Sequence, residues 1–175
     1  MEVFDERIER RLRRVSESPH HAYLFSGPGG SGKREAAGWF AAFLGCEVAR
    51  KRPCGECRSC LEVARDSHPE VVQIRDDGAA IKIDQIRELI HALGLSRISG
   101  PYRVAIIEEA RRMTREAEAA LLKTLEEPVR GVVILLHDVR PVPQYAARLS
   151  YQASHDALTG LINRHEFEHR LNLAP

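Results

Sequence analysis

Apolar residues in this chain occur in two patterns. Four short runs, Ala22–Phe25, Val71–Ile74, Val104–Ile107 and Val132–Leu136, are almost continuously apolar and give way to Ser26-Gly27, Arg75, Glu108 and His137. Runs of that length are too short for helices, and their unbroken apolar character predicts strands covered on both faces. Between them, apolar residues recur every three or four positions. An Ala-rich stretch after Gly32 runs to Leu44 and is expected to close at Gly45. Asp84 is expected to cap a helix through about Leu93 that carries Ile86, Leu89 and Ile90. Thr114 is expected to cap another, with Met113, Ala117, Leu121 and Leu125 on its stripe and Pro128 as its stop. Phe4, Ile8, Leu12 and Val15 mark an amphipathic N-terminal helix, broken by Ser16–His21 around Pro19. Strands alternating with helices predict an α/β fold, a parallel sheet flanked by helices. After His137 the texture changes: Pro141, Pro143 and Gln144 lead into a polar, helical C-terminal tail. The expected division is a domain over 1–138 and a tail over 139–175.

Composition narrows the function classes. With 175 residues, 43% apolar and 29% charged, the chain is the size of one domain and can bury a core. The net charge of +1, from 26 basic and 25 acidic residues, removes the basic excess that non-specific nucleic-acid binding needs. No apolar run approaches the ~18 residues of a membrane span, and the charged N-terminus has no leader-like apolar segment. A cytoplasmic protein without a membrane partner is expected.

The first candidate site follows the first strand. Gly27-Pro28-Gly29-Gly30-Ser31-Gly32-Lys33 has the G-x-x-x-x-G-K spacing of a phosphate-binding loop, between a strand and a helix. Small residues let backbone N–H groups point at phosphate oxygens, the helix adds its positive end, and Lys33 adds a charge. The next position should carry a Ser or Thr hydroxyl for Mg²⁺, and here it is Arg34. At the end of the third run, where an Asp followed by an acid would serve the metal, stand Glu108 and Glu109. Both metal-holding positions are altered. ATP is therefore expected to bind weakly or not at all, with no catalytic residue assigned.

The second candidate site is the cluster Cys46, Cys54, Cys57 and Cys60, in a C-x7-C-x2-C-x2-C spacing with Pro53 and Gly55 as turn formers. Four thiolates satisfy a closed, structural Zn²⁺ site. An iron–sulfur pattern would need a further Cys three residues on, followed by Pro, and the chain has Ala64 and Arg65. Arg50, Lys51, Arg52 and Arg58 surround the cluster and offset thiolate charge.

Taken together, HAYLFSGPGGSGKREAA, the cysteine module, HPEVVQI, IKIDQIRELI, RVAIIEEARRMTREAEAALLKTLEEP and VVILLH resemble the N-terminal AAA+ domain of bacterial DNA polymerase III clamp-loader subunits. The resemblance covers about residues 20–137. It is nearest to the delta-prime branch, with gamma/tau second, because delta-prime subunits often carry Arg after the loop Lys and do not hydrolyse ATP. It implies structural zinc, a stator role in DNA replication, and other clamp-loader subunits, the sliding clamp and primed DNA as partners. The family continues to a Ser-Arg-Cys motif, a further strand, a helical lid and a C-terminal collar. This chain carries none of these, so the expected domain is a truncated one.

Leu149–Leu171 resembles something else, the opening of a GGDEF diguanylate cyclase domain, through the Asp156–Arg164 run DALTGLINR. The run reads as a turn at Gly160 and a helix capped by Asn163 with Glu166 as capping-box partner. Phe167 and Leu171 form its apolar stripe. In that family the metal carboxylates lie further along, so no cyclase residue carries over. The alternatives to a delta-prime-like subunit are a gamma/tau-like ATPase and a cyclase-related fragment or chimeric reading frame without activity.

Overall fold

The computed structural model describes residues 5–28, 30–127 and 131–138, all within the compact unit Met1–Arg140. Phe4, Gly29, Pro128 and the GGDEF-like segment lie outside the described residues. The element order is α1 (Glu6–Val15), β1 (Ala22–Ser26), α2 (Lys33–Gly45), α3 (Arg58–Ala64), β2 (Val71–Ile74), α4 (Ile83–Gly94), β3 (Arg103–Ile107), a 3-10 turn at Ala110–Arg112, α5 (Arg115–Glu126) and β4 (Val132–Asp138). All four apolar runs are strands. They form one parallel sheet in the order β1-β4-β3-β2. No helix among the described residues is long and apolar enough to cross a membrane.

Side-chain alternation along β3 explains the layers. All five of its residues are buried, and successive side chains point to opposite faces. Val104 and Ile106 join the cluster built by Leu12 of α1, most of α2, and Cys60 and Val63 of α3. Arg103, Ala105 and Ile107 face the other way, toward α4, which packs on α5. Ala36, Ala37, Trp39, Phe40, Ala41, Ala42 and Leu44 of α2 are all buried. Four of those seven are alanines, so α1, α3 and the sheet can crowd this helix from several sides.

Two local expectations are corrected. The helix α4 starts one residue before Asp84. Lys82 is the N-cap, its backbone N–H donates to the Gln85 side chain at 2.9 Å, and Asp84 sits in the first turn. An acid there still favours the positive helix end. Gly45 does not end α2 by a left-handed turn; Cys46, the next residue, is extended. A Cβ on Gly45 would lie 2.8 Å from Ser59 Oγ and 3.7 Å from His68 Nε2, so the glycine permits a close approach of α3. The short helix α3 adds to the expected elements: Cys57 caps it and Cys60 lies in its first turn, so the cysteine spacing is also helical spacing. Thr114 does cap α5, accepting the Ala117 N–H at 3.3 Å, and Met113, Ala117, Leu121 and Leu125 are all buried.

One buried ion pair ties the amino end of the sheet to the helices. Arg103 Nε donates to Glu70 Oε2 at 2.6 Å, with both side chains almost wholly buried. The remaining guanidinium N–H groups donate to the carbonyls of Ala92, Leu95 and Ser96 at 2.6, 2.9 and 3.1 Å. These include orphan acceptors at the end of α4. Glu70 Oε1 accepts the N–H groups of Ile98 and Ser99. Burial pushes the Glu70 carboxyl up, but Arg103 and the two backbone donors outweigh it and hold it below its usual range.

Arg103→Met is expected to cost about 3–5 kcal/mol in urea denaturation, because it leaves Glu70 charged and alone. The Glu70→Met/Arg103→Met double variant should be more stable than Arg103→Met, since no buried charge remains unpaired. A double variant no better than Arg103→Met would contradict this account. Glu70 has a lower pKa folded than unfolded. Its contribution is therefore present above the unfolded value of 4.5 and is lost as pH falls through the lower folded value. The difference in stability between wild type and Glu70→Gln, followed from pH 7 downward, should shrink in that window.

Candidate functional site

In a parallel sheet every strand delivers its carboxyl end to the same edge, where open α/β sheets bind ligands. The register pairs Ser26 with Asp138 and Ile107 with Leu136. The loop after β1 and the acids after β3 are thereby brought to one rim.

The loop has the conformation its glycines permit. Gly30 and Gly32 have φ of 73° and 77°, the left-handed region that a side chain disfavours. A Cβ on Gly27 would lie 2.8 Å from Ser31 Oγ, so a larger residue there would displace the Ser31 hydroxyl. Gly32 is the N-cap of α2 and offers no side-chain acceptor to the first-turn N–H groups. Those donors have no intrahelical partner and face the loop, which is the donor set a phosphate takes. Lys33 Nζ folds back on the loop, donating to Gly27 O at 3.2 Å and Pro28 O at 2.7 Å, with Ser31 Oγ at 3.4 Å. The loop therefore fits the phosphates of a nucleotide.

The metal half of the site is different. Arg34, the first residue after Lys33, places its Nε 3.2 Å from Glu108 Oε1. The Glu108 side chain is 6% exposed and that of Arg34 56%. Glu108 Oε2 accepts the Asp76 N–H at 3.1 Å, and its own N–H donates to Ile74 O at 2.9 Å. Glu108 is thus fixed across the ends of β3 and β2 and paired with a cation from α2. Glu109 does not join it. Its backbone is left-handed, with φ 49°, and its carboxylate turns to Arg111 Nε at 2.8 Å. Of the two acids read from the sequence, only Glu108 pairs with Arg34 at the start of α2. Asp76, the donor that orients it, lies 32 positions earlier in a polar loop and left no periodic signal.

The cysteine module begins where α2 ends. Cys46 is the C-cap of α2, Cys57 the N-cap of α3, and Cys60 lies in the first turn of α3. The four Sγ atoms lie within 4.8 Å of one another, and Cys54 and Cys60 are 3.9 Å apart. A tetrahedron of sulfurs about 2.3 Å from one ion has edges of about 3.8 Å. The spacing and donor type therefore fit a thiophilic metal, and the four cysteines can hold one. Backbone N–H groups of Glu56 and Cys57 point at Cys54 Sγ at 3.4 and 3.2 Å and lower its pKa to about 6. Burial pushes Cys60 up to about 12. A cation among the sulfurs favours the thiolate of both.

Two contacts that the sequence did not disclose fasten this module. His68 Nδ1 accepts the Glu70 N–H at 3.1 Å, so the proton sits on Nε2 and is donated to Ser59 Oγ at 3.0 Å. Both residues are buried, and burial holds His68 below its ordinary pKa. The pair has the residue types of a nucleophile and base, but the histidine donates toward the hydroxyl, and it serves to clamp α3. From the other side, the Arg13 guanidinium lies over the Trp39 ring at 5.0 Å and donates to Arg52 O. Arg58 pairs with Glu62 at 2.7 Å, while Arg50 and Lys51 are exposed.

Comparison with known proteins gives a consistent answer. The family described as DNA polymerase III, delta subunit, matches residues 6–141. The chain is 35% identical over 156 residues to DNA polymerase III subunit tau of Escherichia coli, covering 87% of this chain and 24% of that protein. It is 37% identical over 139 residues to the delta' subunit of Pseudomonas aeruginosa, covering 76% of this chain and 42% of that one. A crystal structure of a DNA polymerase III gamma subunit-related protein from Thermotoga maritima superposes with a TM-score of 0.56 at 25% identity, covering 81% of this chain and 43% of that one. The chain spans less than half the length of these relatives. With a phosphate loop after β1, an acid at the end of β3 and a cysteine module after α2 on one parallel sheet, and with matches across most of its length, the chain belongs to the AAA+ clamp-loader subunits of bacterial DNA polymerase III.

Proposed function

We propose that this chain serves DNA replication as the AAA+ module of a delta-prime-like clamp-loader subunit, one that assembles with other subunits rather than turning over ATP. The Arg34–Glu108 pair carries this reading. In a hydrolysing P-loop site a hydroxyl and an acid hold Mg²⁺ between them. Here a guanidinium stands in the hydroxyl's place and is already bound to the acid. When bound, a nucleotide supplies its phosphates to the loop donors and Lys33. The acid that would orient Mg²⁺ is engaged with the guanidinium that replaces the second ligand. The implied partners are other clamp-loader subunits and, through the assembly, the sliding clamp and primed DNA. The module's Cys46, Cys54, Cys57 and Cys60 are assigned to structural Zn²⁺, closing the loop between α2 and α3. The similarity to tau favours a second reading, a gamma/tau-like ATPase, and the altered metal positions weigh against it. The GGDEF-like segment has no assigned role.

A steady-state phosphate-release assay with ATP and Mg²⁺ should give no rate above that of Lys33→Ala. A rate that Lys33→Ala abolishes would establish the ATPase reading instead. Metal analysis of protein purified under reducing conditions should find about one zinc per chain. Cys60→Ser should lose the metal and, with it, much of the thermal stability. Iron with visible absorbance, or no metal in freshly reduced protein, would overturn the zinc assignment. Co-expression with the remaining subunits of the same bacterium's clamp loader should recover this chain in the assembled complex.

A further inference from the structure

We propose that Arg34 is a built-in cation that replaces Mg²⁺, so that this phosphate loop takes nucleoside di- or triphosphates in their metal-free form. The inference deepens the non-hydrolysing reading above and rests on it.

Three observations support it. First, Arg34 sits in the first turn of α2, directly after the loop lysine, and its Nε lies 3.2 Å from Glu108 Oε1. The guanidinium is thus held between the helix start and the β3 acid, where a hydrolysing site keeps its metal. Second, the donor set there no longer suits Mg²⁺. That ion demands near-octahedral oxygen ligands at 2.0–2.1 Å. The hydroxyl ligand is gone, one Glu108 oxygen faces Arg34, and the other accepts the Asp76 N–H. Glu109 is turned away to Arg111. A divalent ion entering would have to separate the ion pair and sit beside a like charge. Third, the guanidinium is not used up. Arg34 remains 56% exposed, and its Nε is the atom placed against Glu108. Its terminal N–H groups form a planar fork suited to phosphate oxygens. Arg34 and Lys33 together then put two fixed positive charges beside the bound phosphates. Mg²⁺ complexation would neutralise the ligand's charge and compete with those groups.

The test is a fluorescence titration of the full chain with N-methylanthraniloyl-ADP, in excess EDTA and again in millimolar Mg²⁺. Wild type should bind with a Kd in EDTA equal to or below that in Mg²⁺. Arg34→Thr, which restores the hydroxyl and frees Glu108, should bind at least about tenfold more tightly in Mg²⁺ than in EDTA. Arg34→Met should weaken binding in EDTA by about tenfold or more, because it removes the charge while keeping the side-chain bulk. Thermal denaturation of each variant separates lost binding from lost folding. Wild-type binding that needs Mg²⁺, without hydrolysis, overturns the built-in cation and leaves the non-hydrolysing subunit standing. Mg²⁺-dependent binding with hydrolysis overturns both. No binding in either condition also overturns the inference, since the ion pair would then be a plug for the loop.

Discussion

The parallel direction of β1, β4, β3 and β2 is the constraint on which the site depends. Parallel strands need crossover connections, so each strand is followed by helix and loop, and every carboxyl end arrives at the same rim. That geometry lets a loop at Gly27–Lys33 meet an acid at Glu108, 75 positions beyond Lys33 in sequence. It also explains the unbroken apolar strands. Val104 and Ile106 must be covered by α2 while Ala105 and Ile107 are covered from the opposite face. The phosphate loop and its acid are consequences of the topology. What distinguishes this chain is the side chain placed between them.

The two ends of the sheet use buried charge differently. At the amino end, Glu70 and Arg103 satisfy each other and the backbone of the α4–β3 connection, and both are sealed from water. That pair organises structure. At the carboxyl end, Glu108 is equally buried but its partner Arg34 is largely exposed. A pair that is half open to solvent keeps donors available for a ligand. The contrast separates the scaffold from the site better than residue type does, since both pairs are Glu and Arg.

Much of this was legible from pattern. The four strands stand out because a two-sided burial requirement leaves little room for polar residues, and the phosphate loop because glycines recur at required spacings. The cysteine cluster was visible because thiolates at short spacing have few other uses. The start of α4 was misplaced because Asp84 is a strong capping residue type, while the actual cap is a backbone contact between Lys82 and Gln85. The purpose of Gly45 was hidden because it depends on Ser59 and His68, which only tertiary packing brings near. The divergence of Glu108 and Glu109 was equally hidden, since one left-handed residue sends adjacent carboxylates to different partners.

The central claim is that a guanidinium occupies the place of a metal ion at this loop. Its most direct test is a crystal structure of the chain grown with ADP and Mn²⁺, measured where manganese scatters anomalously. The Arg34 guanidinium should lie against the β-phosphate, still paired with Glu108, with no anomalous peak between that phosphate and Glu108. A manganese peak there, with Arg34 swung away from Glu108, would contradict it.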